Sequence, residues 1–188
     1  MKKYLILVKH SLPKISEDLP AREWLLSDEG KRRAQILAEG LRPYQPEVII
    51  SSVEPKAIQT AEVVAHSLKL PIKVVENLHE HDRSSTAYLS RNAFELSIQE
   101  FFDKADELVF GNETANQSHQ RFAEAVSSVL KKYVNQTIVI VTHGTVISLF
   151  VSRLTGIPEY SLWSELGLPS FTVLDLHANT LITRENIC

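Results

Sequence analysis

Two histidines, two lysines and a carboxylate follow closely on short apolar or β-branched runs in this chain. Lys9 and His10 come directly after Tyr4–Val8, and Lys56 comes shortly after Val48–Ile50 and the serine pair Ser51-Ser52. Glu80 follows Ile72–Val75 by way of Leu78-His79, and His143-Gly144 follows Thr137–Thr142. An imidazole with a free ring nitrogen is a nucleophile or a base, ammonium groups hold anionic oxygens, and a carboxyl group carries a proton to or from a leaving group. Together these residue types suit chemistry on an anion such as phosphate. Each has an ordinary explanation taken singly. A histidine after a strand is usually a loop residue, a lysine in a first helical turn is usually solvated, and the run His79-Glu80-His81-Asp82-Arg83 would normally be an exposed loop. Their coincidence after four separate runs is what points to a site.

The elements that must position them can be read from periodicity. Tyr4–Val8 is a continuous apolar run, as in a strand buried on both faces. Ser27-Asp28 opens a helix with Ala34, Leu37, Ala38 and Leu41 on one face, ending at Pro43. Val48–Ile50 is a second buried strand. Pro55 suits a first helical turn, with Ala57, Ala61, Val64, Ala65 and Leu68 following at helical spacing. Ile72–Val75 is a third short strand. From about 77 to 117 the chain is mostly polar, with an amphipathic piece around Phe94, Ile98, Phe101 and Phe102, and reads as a partly helical insertion capping the sheet. Phe122 to Tyr133 is a helix, Thr137–Thr142 the strongest strand, and Val146–Leu154 a buried helix apolar nearly all round. Phe171–Leu176 and Leu181–Arg184, joined through Asn179, read as a closing hairpin. This alternation predicts one α/β domain over 1–188, a three-layer α/β/α arrangement with a mostly parallel sheet flanked by helices. In such sheets ligands bind outside the carboxyl ends of the strands, where the candidate residues fall.

Composition narrows the classes. At 188 residues and 44% hydrophobic content, a single core forms without staples. A formal net charge of -3 gives no general attraction to nucleic acid or anionic membrane. The apolar start, Met1 to Val8, is too short for a signal peptide and is interrupted by Lys9 and His10. No run approaches the roughly 18 apolar residues of a membrane span. The single cysteine, Cys188, forms no internal disulfide, which suits a reducing compartment. A cytoplasmic protein with no nucleic-acid or membrane partner is the expectation; oligomeric state stays open. Neither a dinucleotide fingerprint nor a phosphate loop is present.

Leu7-Val8-Lys9-His10 resembles the arginine-histidine-glycine signature of the histidine phosphatase superfamily, which includes the cofactor-dependent phosphoglycerate mutases. Ser51-Ser52-Val53-Glu54-Pro55-Lys56-Ala57-Ile58-Gln59-Thr60-Ala61 is similar to its second signature, a serine pair followed by arginine, alanine and glutamine-threonine-alanine. Leu78-His79-Glu80 looks like the leucine-x-glutamate that supplies the acid, and Val141-Thr142-His143-Gly144 like the final histidine-glycine motif. Gly111-Asn112-Glu113-Thr114 with Arg121-Phe122 matches a further family pattern. The landmarks keep the family's order and span most of the chain. Three positions depart: Lys9 and Lys56 stand where the family has arginine, and Ser11 where it has glycine. Charge is kept at both lysines, but the planar two-pronged grip of a guanidinium is not.

The resemblance implies a phosphoglycerate mutase-like fold and a phosphomonoester hydrolase working through a phosphohistidine on His10, without metal or other cofactor, on a small phosphorylated substrate. Catalysis would fall to His10, Glu80 and His143, and phosphate binding to Lys9, Lys56, Ser16 and Gly144. The surrounding positive charge would keep His10 unprotonated and stabilise phosphoryl oxygens in the transition state. Amides at the helix start after Gly144 would face the phosphate, and Glu80, its pKa raised by that phosphate, would protonate the leaving group. Tyr88, Arg83 and Phe94 are candidates for the substrate pocket. Alternatives are mutase-type transfer back to a sugar-acid phosphate, a non-catalytic phosphate-binding relative, and metal binding by His79, Glu80, His81 and Asp82.

Overall fold

The computed structural model describes residues 3–176, 178 and 180–187, so Met1, Lys2, His177, Cys188 and Asn179, through which the hairpin was expected to turn, lie outside the described residues. Six strands form one sheet: β1 (Leu5–Lys9), β2 (Val48–Ser51), β3 (Ile72–Val74), β4 (Ile138–Thr142), β5 (Ser170–Asp175) and β6 (Thr180–Asn186). Their order is β3-β2-β4-β1-β5-β6. The first four run parallel, while β5 is antiparallel to β1 and β6 to β5. The helices are α1 (Asp28–Leu41), α2 (Pro55–Leu68), α3 (Arg91–Asp103), α4 (Ala115–Lys132), α5 (Gly144–Thr155) and α6 (Glu159–Glu165).

Strand alternation sorts the core into two layers. Ile6, Val8, Ile49, Val139 and Val141 pack with Leu37 and Leu41 of α1 and Ala61 and Val64 of α2. Leu5, Leu7, Ile50, Ile138 and Ile140 pack with Phe122 and Val126 of α4 and Ile147 and Val151 of α5. The three-layer α/β/α architecture expected from the alternation is therefore the one observed.

Helix ends follow local chemistry. The Ser27 side chain accepts from the Gly30 amide to start α1, and Thr114 with Gln117 forms a reciprocal capping box at α4. Gly156, in the left-handed region at φ 77°, ends α5.

The segment between β3 and α4 holds one helix, α3, whose Ile98, Phe101 and Phe102 form a third cluster with Ala115 and Leu149. Helix α6 was not foreseen. Only Leu162 of it is buried, so its sequence lacks the repeated apolar face that marks a helix.

The topology places a site at β1 and β4. These strands are hydrogen-bonded neighbours with parallel register, Lys9 opposite Thr142. The chain leaves β1 toward α1 on one face and leaves β4 directly into α5 on the other. Connections that part to opposite faces open a crevice at the strands' carboxyl ends.

Candidate active site

His10 and His143 are the first residues beyond β1 and β4, and the amide of His10 donates to Thr142 O at 2.9 Å. The two imidazoles meet edge to face with centroids 5.2 Å apart. They share one buried environment, at 7% and 0% exposure. Nδ1 of His10 lies 2.8 Å from the carbonyl of Ser11. A carbonyl can only accept, so Nδ1 carries the proton and the lone pair is left on Nε2. Burial, the neighbouring His143, and the Lys56 and Lys9 charges all hold His10 well below the usual histidine pKa, against the Ser11 hydrogen bond. The ring is thus neutral and of fixed tautomer, with a lone pair on Nε2.

His143 places Nε2 2.9 Å from Ser52 Oγ and 3.5 Å from Glu54 Oε1. Burial and the Lys56 charge likewise keep it well below its ordinary pKa, with Glu80 opposing.

Both lysines reach the site, and each is tethered. Lys56, at the start of α2, donates to Ala21 O at 2.6 Å and to Glu54 Oε2 at 2.5 Å, in a buried ion pair. Lys9 donates to Leu166 O at 2.8 Å. Burial pushes its ammonium down to about 8, partly countered by the Glu80 charge. Gly144 accommodates this side chain: a Cβ there would lie 3.1 Å from Lys9 Cε.

Glu80 arrives on a loop, partly buried. Its carboxylate accepts from the amides of Thr145 (3.1 Å), Val146 (3.3 Å) and His81 (3.0 Å). One expectation is corrected here. The amides following Gly144 are committed to Glu80 rather than to a phosphate, because a nearby carboxylate satisfies the helix N-terminus first. The Glu80 carboxyl of the protein alone lies below its ordinary pKa. Burial raises it, but His143, Arg83 and the amides outweigh that effect. Only the added negative charge of a bound phosphate would reverse the direction.

Ser16 is not brought to the cavity wall. Its carbonyl accepts from Trp24 Nε1 at 2.9 Å, and its neighbours Ile15 and Glu17, rather than Ser16 itself, line the cavity. Nor is the run from His79 to Arg83 a solvated loop throughout. His81 is 2% exposed, its ring lying against Phe101 at 4.2 Å and Phe110 at 4.7 Å. Among the described residues, no three or more histidine, cysteine or acidic side chains gather as a metal site.

The structure reveals partners that motif reading missed. Glu54 joins Lys56, His143 and the amide of Glu80, the last at 2.9 Å. Arg121 clamps the acid loop by donating to the carbonyls of Asn77 (2.9 Å), His79 (3.0 Å) and Glu80 (3.1 Å) while paired with Glu113 at 2.6 Å. Ser11 donates to Gly30 O at 2.7 Å, and its amide donates to Thr60 Oγ1 at 3.0 Å. The Ser11 hydroxyl and amide therefore both have partners within the fold. A cavity of about 1200 Å³ opens over the site. Lys9, Glu54, Lys56 and Glu80 line it together with Arg83, Tyr88, Phe94 and Trp163.

The family model of the histidine phosphatase superfamily, branch 1, matches residues 14–185. The chain belongs to the histidine phosphatase superfamily. Among curated relatives, it is 24% identical over 132 residues to the uncharacterized phosphatase PhoE of Bacillus subtilis, covering 70% of this chain and 65% of that protein. It is 26% identical over 144 residues to phosphoserine phosphatase 1 of Hydrogenobacter thermophilus, covering 74% and 68% of the two chains. The chain thus spans about two thirds of the length of these relatives. In fold it is similar to the phosphoserine phosphatase of Entamoeba histolytica solved with 3-phosphoglyceric acid, at TM-score 0.78 and 19% identity over 97% of this chain and 96% of that one.

Proposed function

We propose that this chain hydrolyses small phosphomonoesters through a phosphohistidine on His10, with Glu80 as proton carrier and His143, Lys9 and Lys56 holding the phosphoryl group. The observation that carries the reading is the hydrogen bond from His10 Nδ1 to the Ser11 carbonyl, which leaves Nε2 free in a ring held unprotonated by its surroundings. Nε2 attacks phosphorus and the ester P–O bond breaks. A bound phosphate raises the proton affinity of Glu80, which then delivers a proton to the departing oxygen. Glu80 next takes a proton from water as that water attacks the phosphohistidine, releasing phosphate and restoring His10. The balance is ester plus water to alcohol plus phosphate.

The printed activities of the relatives, phosphatases in both curated cases, support the same reading. So does the wide cavity, since returning the phosphoryl group to a bound acceptor calls for a close enclosure that excludes water. The lysines at 9 and 56 take over the anchoring role that the resemblance gives to arginine. A cytoplasmic setting, suggested by the single cysteine, belongs to the same reading. Among the described residues, no helix is long and apolar enough to cross a membrane.

Rapid acid-free quenching with a radiolabelled phosphomonoester tests the assignment. The intact protein is expected to carry acid-labile label on His10. His10→Ala is expected to lose the label and at least about a thousandfold in kcat. Normal turnover by His10→Ala would remove His10 from the mechanism.

A further inference from the structure

The cavity wall carries a guanidinium that the phosphoryl chemistry above does not use. Arg83 lies three residues beyond Glu80, with its Cζ 4.4 Å from the centroid of the Phe94 ring. Phe94 is itself held edge-on by Trp163 at 5.8 Å and Phe110 at 6.4 Å. Stacking occupies a face of the guanidinium and leaves its N–H edge for hydrogen bonds.

That edge is unclaimed. Nη1 of Arg83 is buried and has no partner, and among the described residues the Arg83 side chain makes no hydrogen bond or ion pair. The other cations of the wall either face a carboxylate or, like Lys9 and Lys56, already belong to the proposed phosphoryl site. Arg22 faces Glu23 at 3.8 Å, Arg91 pairs with Glu95 at 2.9 Å, Lys56 pairs with Glu54, and Lys9 donates to the Leu166 carbonyl. A buried charged donor left without an acceptor is costly, and an anionic oxygen group is what would satisfy it.

The position of Arg83 indicates which part of a substrate it meets. Glu80 and His143 both feel its charge, whereas the charges that act most strongly on His10 are those of His143, Lys56 and Lys9. Arg83, three residues beyond Glu80 in the chain, also lines the same cavity, and so stands on the side of the proposed proton donor.

We propose that Arg83 grips a second anionic group on the leaving-group part of the substrate, and so selects phosphomonoesters that carry one. A carboxylate or a further phosphate presents the paired oxygens that a guanidinium fork matches. The inference rests on the phosphatase reading for its substrate class, but the contact itself can be measured without turnover.

Matched probes isolate the contact. Relative kcat/KM is measured on the intact protein for 3-phosphoglycerate against glycerol 3-phosphate, and for 1,3-propanediol bisphosphate against 3-hydroxypropyl phosphate. Dissociation constants for the same four compounds are measured calorimetrically in His10→Ala, where nothing is consumed. The intact protein is expected to favour the doubly anionic member of at least one pair by about tenfold or more. Arg83→Met, which keeps an apolar stem over Phe94, is expected to bring that ratio close to one, and Arg83→Lys to retain part of it. A ratio near one for both pairs in the intact protein overturns the proposal, as does a preference that survives in Arg83→Met. Because each ratio is taken within one protein, a general loss of folded material cancels. Absence of turnover on every ester would instead remove the hydrolytic reading, leaving the binding ratios to judge Arg83.

Discussion

Replacing Lys9 by arginine is expected to erase the alkaline limb of the pH–activity profile. Burial brings the Lys9 ammonium to about 8, so its charge is lost within the range where phosphatase assays are run. Above that value the charged fraction falls tenfold per pH unit, leaving about a tenth at pH 9 and about a hundredth at pH 10. If that charge holds the phosphoryl oxygens, kcat/KM falls by the same factors, because this ratio reports the free enzyme. In the substrate complex the phosphate raises the lysine's proton affinity, so the limb in kcat alone lies at higher pH. A guanidinium remains protonated past pH 12, and Lys9→Arg should therefore stay flat to pH 10. On the acid side His10 must be neutral, and its lowered pKa carries activity below pH 6 in both proteins. The assay is steady-state hydrolysis of p-nitrophenyl phosphate from pH 5 to 10 in buffers of constant ionic strength. An alkaline limb near 8 that persists in Lys9→Arg would refute the assignment of that limb to Lys9.

Lys56→Ala is expected to lose far more activity than Lys56→Arg, read as kcat/KM on one ester, and equal losses would argue against a role for its charge. The alanine variant also strands Glu54 in a buried site, with an expected destabilisation of about 3 kcal/mol by denaturant unfolding. The double variant Glu54→Gln/Lys56→Met is expected to recover much of that stability but not the activity. Arg121→Ala should lower kcat about tenfold or more and reduce stability by about 3 kcal/mol, because three carbonyls of the Glu80 loop and the Glu113 carboxylate lose their donor. Unchanged kcat in a folded Arg121→Ala protein would show that the loop holds its shape by other means.

The sheet was legible in the sequence because its central strands are buried on both faces. Continuous runs such as Leu5–Val8 and Ile138–Val141 admit few other readings, and the helices beside them show one-sided apolar spacing. Helix α6 was not legible because one buried leucine sets no period. The site's primary residues could be located from strand ends, since β1 and β4 deliver His10 and His143 directly. Their partners could not. Glu54, Arg121 and the Ser11–Gly30 contact depend on loops meeting in space, and no local pattern encodes which carbonyl a guanidinium will reach. The same gap explains the departures from expectation. Glu80 takes the helix N-terminus expected for phosphate, Ser16 turns its carbonyl to Trp24, and His81 is drawn into an aromatic cluster that its polar neighbours conceal.

The hydrogen bond between His10 and Thr142 joins the opening of the polypeptide to its last third. Both imidazoles come together only when β1 docks beside β4, a closure that spans most of the intervening chain and is entropically slow. If hydrolysis runs through His10 as proposed, turnover reports completed assembly: a chain cleaved and parted between α2 and α4 keeps one imidazole in each piece and the pair in neither.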